Sequence, residues 1–206
     1  KLALTAALKT LRYMYDTRDM CMNYECGNVS PELTGYSDAD LAGWHNGRSR
    51  TGWAIKLGRR NESNAMILWQ CKLQVPVFDN TPDSEQAALM ELGHSLYFYR
   101  NLADECGFKG FQQQSFDAPS FSASCHNYAH FEDKDDHEEI LLSEAFCDNK
   151  PTIQRTENAA RWKRNRKVHI RYRKCVDYFN SDSPMRIANL IHIPGEDNPA
   201  DMWTKV

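Results

Sequence analysis

Residues 35–43 read GYSDADLAG: two aspartates one residue apart, preceded by glycine, tyrosine and serine and followed by small residues. D-x-D is common in surface turns, because a short carboxylate satisfies nearby backbone amides. The same pair means something else at the end of a strand, where a carboxylate can be delivered to a divalent cation. The choice between these readings depends on what stands downstream.

The flanking pattern supports a strand. ELTGYSD is β-prone up to the acidic pair, and RTGWAIKL and AMILWQC are two further β-prone runs joined by the turn-rich GRRNESN. Three strands with short connections predict an antiparallel meander. The period then changes. Pro82, Asp83 and Ser84 are helix-start signals, Gly107 is a stop, and Ala88, Leu89, Leu92, Leu96, Tyr99 and Leu102 form a stripe at helical spacing. ILLSEAFCD reads as a buried strand ending in Asp148. A helix follows from Pro151 to about Ala160, then a very basic helix, RWKRNRKVHIRYRKCVDYF. The strand MRIANLIHI, the turn PGEDN and a short helix, PADMWTKV, close the chain. Strands followed by helix–strand alternation predict an α/β protein with a mixed sheet.

Upstream of the meander, LALTAALKTLRYMYDT has apolar residues at helical spacing (Leu4, Leu8, Leu11 and Met14 or Tyr15), and MCMNYEC alternates as a short strand would. Between about Lys109 and Glu139 periodicity dissolves into polar and acidic runs, which read as a surface insertion.

Four carboxylates stand at matching places in this pattern. Asp38 ends the first strand of the meander, Glu85 lies in the first turn of the long helix, Asp148 ends the later strand, and Asp201 opens the closing helix. Carboxylates at strand ends and helix starts along one sheet edge can converge. Mg²⁺ or Mn²⁺ requires such oxygen ligands. Two ions about 3.5–4 Å apart can clamp the attacking and leaving oxygens of a phosphodiester.

Taken in order, GYSDADLAG, RSRTGWAIKLG, ILWQCKLQ, SEQAALMEL, CDN, VHIRYRK and IPGEDNPADMWTK resemble the ribonuclease H domain of copia-type LTR retrotransposons. LKTLRYMYDTRDMCMNYECGN is similar to the tail of the reverse transcriptase that precedes that domain. The resemblance implies a reverse transcriptase tail over residues 1–30 and a ribonuclease H-like domain over 31–206, with the insertion at 109–139. The implied fold is a five-stranded mixed sheet, three antiparallel strands and then two parallel ones, with helices on both faces. Carried over position by position, the family's acidic tetrad falls on Asp38, Glu85, Asp148 and Asp201, with Asp38 rather than Asp40 in first place. The tetrad would hold two Mg²⁺ ions, with Mn²⁺ as the alternative, and cut the RNA strand of RNA–DNA hybrids. Such proteins recognise RNA through the 2′-hydroxyl and the minor-groove shape. This chain departs from the family pattern in having Leu41 for a tryptophan, Gln86 for a tyrosine, Lys167 for a histidine and His169 for an acid, and in its long insertion.

The basic run carries Arg161, Lys163, Arg164, Arg166, Lys167, Arg171 and Arg173, interleaved with Trp162 and Tyr172. It reads equally as a solvated helix face or as a phosphate-backbone surface, which Arg48, Arg50, Arg59 and Arg60 would extend. Cys125, His126, His130 and His137 fit no familiar zinc spacing, and His192 reads as a half-buried strand residue. Trp53 and Trp69 read as core.

The net charge of −3 over 206 residues argues against wholesale coating of nucleic acid, but not against a local basic face. Seven scattered cysteines without a C-x-x-C pair read as reduced thiols of an intracellular protein, whether cytoplasmic, nuclear or organellar. No apolar run reaches the roughly 18–20 residues that span a bilayer. The chain opens at Lys1 without a secretory signal, as a segment of a longer polypeptide or a processed product would. The implied partners are an RNA–DNA hybrid, the reverse transcriptase portion of the same polyprotein and a larger host complex. A second reading is a catalytically inactive, domesticated module that binds nucleic acid or serves a structural role. An integrase or transposase relative would place its glutamate last, whereas here the glutamate is second.

Overall fold

In the structure, a computed structural model, residues 2–24, 32–43, 47–62, 66–107, 142–158 and 174–205 are described. Strand β1 (Leu33–Asp40) lies at the centre of the sheet and is buried along nearly its whole length. Its alternation sends Leu33 and Gly35 to one face and Tyr36 and Asp38 to the other. β2 (Arg50–Leu57) and β3 (Met66–Leu73) extend the sheet antiparallel on one side. β4 (Ser143–Cys147) and β5 (Ala188–His192) extend it parallel on the other. The order is β3-β2-β1-β4-β5, a five-stranded mixed sheet of three antiparallel strands and then two parallel ones, as expected from the motif blocks.

Helix α2 (Thr81–Glu105) packs across one face, with Leu89, Leu92 and Leu96 fully buried against Ile55, Ala145 and Cys147. The approach is close. A Cβ at Gly35 would lie 2.8 Å from Leu92 Cδ1, so a glycine in β1 lets the helix settle onto the strand. α3 (Lys150–Glu157) and α4 (Lys174–Phe179) complete this layer through Ile153, Cys175, Tyr178 and Phe179. The opposite face holds a smaller cluster, Tyr36, Phe146, Ile193 and Ala200. Two 3₁₀ helices, Gly195–Asp197 and Pro199–Trp203, close the chain, and the second contributes Ala200 to that cluster. Among the described residues, no helix is long and apolar enough to cross a membrane.

Several sequence expectations change. No strand forms at residues 20–24, the described part of MCMNYEC; Tyr24 instead donates its hydroxyl to the Met66 carbonyl. Helix α1 (Leu2–Asp16) forms as its period predicts, but the stripe of Leu4, Leu8 and Leu11 is exposed. Trp69 is not core. β3 is an edge strand, and period-2 alternation leaves the indole 45 % exposed, stacked on Trp203 at 6.1 Å between ring centroids. Leu102 is also exposed near the end of α2, where Arg100 is buried instead and donates to Ser143 Oγ at 3.0 Å. Burial lowers the Arg100 guanidinium to about 10. The insertion at 109–139, the residues Cys125, His126, His130 and His137, and Arg161, Lys163, Arg164, Arg166, Lys167, Arg171 and Arg173 of the basic run lie outside the described residues.

Candidate active site

The four acidic positions are supplied by four different elements. Asp38 lies near the end of β1, on the face away from α2, in register with Gly52 of β2. Asp40 is on the same face two residues on. Its carboxylate curls back over Gly43, where a Cβ would clash with it, and the backbone turns away through Ala42 at φ 55°. Asp38 is therefore the member of the pair that faces the other acids.

Glu85 is held by the start of α2. Asn80 caps the helix, accepting from the Asp83 amide at 3.0 Å, and Pro82 occupies the first turn, where a missing N–H costs nothing. A buried network fastens this turn to the sheet. Gln74 donates to Thr51 Oγ1 and to the Ser84 carbonyl, both at 2.9 Å, and accepts from Ser84 Oγ at 3.1 Å. α3 adds a second tie, from Thr152 Oγ1 to the Pro82 carbonyl at 3.1 Å, and Arg155 pairs with Asp83 at 2.5 Å. Glu85 is thereby fixed over the sheet edge with 3 % of its surface exposed.

Asp148 follows β4 directly and precedes Asn149, which caps α3 by accepting from the Thr152 amide at 3.0 Å. His192 at the end of β5 meets the Asp148 backbone carbonyl at 3.1 Å. Gly195 lies against the side chain; a Cβ there would come within 3.1 Å of Asp148 Oδ2.

Asp201 arrives on the closing 3₁₀ helix, which is seated on Gly52. A Cβ at that position would lie 2.9 Å from the Ala200 carbonyl oxygen and 3.0 Å from Trp203 Cβ, so only glycine leaves room for the helix. Asn198 secures it from below, donating to the Ser37 carbonyl at 2.9 Å and accepting from the Ala200 amide at 3.1 Å. The docked turn also brings Thr204, whose hydroxyl donates to Asp38 Oδ2, and Lys205, whose ammonium meets Asp201 Oδ2 at 2.5 Å.

The acids act on one another electrostatically. Burial raises the Asp38 carboxyl above the ordinary aspartate range, and Asp148 and Asp201 push it further, against the Thr204 hydrogen bond. Burial likewise raises Asp148, with Asp201 adding to the effect, while its own backbone amide, His192 and Lys205 oppose it. Glu85 is pushed up to about 9, first by burial and then by Asp38 and Asp148, with the Ala39 amide opposing. Lys205 is raised by its bond to Asp201. The Glu85 oxygen Oε2 is buried and has no hydrogen-bond partner. An orphaned carboxylate oxygen facing other carboxylates is the donor set of a hard divalent cation, so these residues fit one. The structure also brings in a sulfur that the acidic pattern did not select. Glu85, Cys147 and Asp148 place ligand atoms all within 4.8 Å of one another. Burial holds the Cys147 thiol well above its usual range.

Thr204, Lys205, Asn198 and Cys147 were not singled out from the sequence. Three of them sit in the IPGEDNPADMWTK block, and the fourth is the first letter of CDN. Of the arginines proposed to extend a basic face, Arg59 is committed to Glu32 in a two-oxygen fork, Nη2–Oε1 2.8 Å. Arg60 meets Asp197 at 3.6 Å, and Arg48 donates to the Val75 carbonyl.

No family model matches the chain. Over 197 residues it is 26 % identical to the retrovirus-related Pol polyprotein from transposon TNT 1-94 of Nicotiana tabacum, an alignment spanning 95 % of this chain and 12 % of that protein. The chain thus corresponds to a small part of that relative. Ribonuclease H1 from the halophilic archaeon Halobacterium salinarum NRC-1 aligns at a TM-score of 0.44 and 13 % identity, over 84 % of this chain and 93 % of that one. LC11-RNase H1, solved in complex with an RNA/DNA hybrid, aligns at 0.44 and 12 %, with the same coverage.

Proposed function

We propose that this chain, which has the ribonuclease H-like fold and is similar over nearly its whole length to part of a retrotransposon Pol polyprotein, is a metal-dependent endonuclease that hydrolyses the RNA strand of RNA–DNA hybrids. Residues 1–30 are then the tail of the preceding reverse transcriptase. The observation that carries the reading is the buried, unpartnered Oε2 of Glu85 beside two further carboxylates. Without a cation such a buried carboxyl is favoured in its protonated form, and a bound cation would take the place of that proton.

Asp38, Glu85, Asp148 and Asp201 would hold the cations, Mg²⁺ or Mn²⁺. When bound, such ions supply an activated water and a counter-charge for the leaving oxygen. The chain's own residues set the site up for this. The Gln74–Ser84–Thr51 network fixes Glu85 before any ion arrives, which lowers the reorganisation that binding would require. Thr204 orients Asp38, and Lys205 holds Asp201 and offsets part of the negative field. The basic run from Arg161 to Arg173 would grip the phosphate backbone and give the affinity its salt dependence.

One observation favours a second reading, a catalytically inactive nucleic-acid-binding module. Gln86 is fully buried, and neither amide atom has a partner. Such a group costs about 1–3 kcal/mol, at a position next to Glu85 in the candidate site. Purified protein incubated with a labelled RNA–DNA hybrid and Mg²⁺ separates the two. Cleavage that disappears in Asp148→Asn supports the nuclease. Tight hybrid binding with no cleavage at any Mg²⁺ or Mn²⁺ concentration overturns it.

A further inference from the structure

Besides the oxygen ligands, the site contains a thiol. Cys147 is fully buried at the end of β4, is not in a disulfide, and places Sγ with one oxygen each of Glu85 and Asp148 in a mutual 4.8 Å cluster. Asp38 and Asp201 share the field of these acids but are not in that tightest set. Glu85 supplies an independent sign of a missing ligand, since its Oε2 is buried without a partner. Mg²⁺ takes oxygen donors and does not recruit a thiol, whereas Zn²⁺ and Cd²⁺ accept thiolate and carboxylate together.

We propose that Cys147, Glu85 and Asp148 form a binding site for a thiophilic divalent cation of the Zn²⁺ and Cd²⁺ class. Binding breaks the Cys147 S–H bond, forms a sulfur–metal bond and releases the proton to buffer, with no change of oxidation state. The two carboxylates are shared with the hard-ion site of the proposed function, so occupancy by the soft ion would exclude Mg²⁺ and silence the nuclease. The inference rests on the metal-holding part of that reading, not on its substrate.

The test uses the full chain, reduced with a phosphine, titrated with Cd²⁺ and followed by the ultraviolet sulfur-to-cadmium charge-transfer absorption. Exposed thiols such as Cys21, Cys71 and Cys106 give a background, which the same titration of Cys147→Ser removes. The expected difference between wild type and variant saturates at one ion per chain and is lost in Glu85→Gln. Mg²⁺ at ten times its own Kd should weaken Cd²⁺ half-saturation about tenfold. A charge-transfer signal equal in wild type and Cys147→Ser overturns the proposal. Anomalous scattering from wild-type crystals grown with Cd²⁺ needs no variant: density on Cys147 Sγ supports the site, and Cd²⁺ elsewhere only refutes it. Cd²⁺ on Cys147 that is indifferent to Mg²⁺ keeps the thiol site and counts against the Mg²⁺-dependent nuclease.

Discussion

Replacing Glu85 with glutamine should make the metal-free protein more stable at pH 7–8 and flatten the part of its pH dependence between pH 6 and 8 that Glu85 carries. The Glu85 carboxyl sits at about 9 in the folded chain, against an ordinary value of 4.5. Above about pH 5 the unfolded chain has given up this proton while the folded one still holds it. The folded state therefore binds more protons, and stability falls as pH rises until about pH 9. One proton corresponds to roughly 1.4 kcal/mol per pH unit. For a domain of this size that is about 3–6 °C in Tm per unit. Glutamine keeps the shape and has no proton to lose. Thermal melts in a chelator at pH 6, 7 and 8 should show the wild type losing Tm stepwise and Glu85→Gln staying nearly level. Mg²⁺ should raise the wild-type Tm more at pH 8 than at pH 6, because the ion replaces the proton. Parallel Tm-against-pH lines for the two proteins would refute the reasoning.

Gly52→Val should unseat the closing 3₁₀ helix, with a loss of about 1–3 kcal/mol in urea melts, as overpacking typically costs, and a larger loss of hybrid cleavage than of stability. Thr204→Val should leave the fold intact and lower the cleavage rate by about tenfold or more, because Asp38 loses the hydroxyl that orients it; an unchanged rate would deny Thr204 that role. Arg161→Ala together with Lys163→Ala should weaken hybrid binding and reduce the slope of log affinity against log salt by about one per lost phosphate contact. Filter binding from low to moderate salt measures this.

The sheet was legible because β1, β2 and β3 carry β-prone runs broken by turn residues, and α2 carries an uninterrupted helical stripe. Glu85 near the start of α2 and Asp148 just after β4 stand where the pattern put them, whereas β1 runs on past Asp38 to Asp40 and Asp201 lies in the middle of its 3₁₀ helix. What the sequence could not express depends on docking. Asp38 and Asp40 share a face, and only the curl of Asp40 over Gly43 distinguishes them. Thr204 and Lys205 matter because Gly52 lets a distant turn settle on β2, which no local pattern reports. Trp69 looked like core because bulky aromatics usually are, but an edge strand has one open face. MCMNYEC alternates like a strand, yet β-propensity without a pairing partner carries little weight.

The turn seated on Gly52 also bears on timing during synthesis. Translation proceeds from the amino end, so residues 198–205 are the last of the described chain to leave the ribosome. By then all five strands have been made, yet the fourth acid and the hydroxyl that steadies the first are still missing. A nascent chain would thus carry the strands of the sheet before the acidic cluster is complete, and the cluster would be finished only when the turn on Gly52 is made.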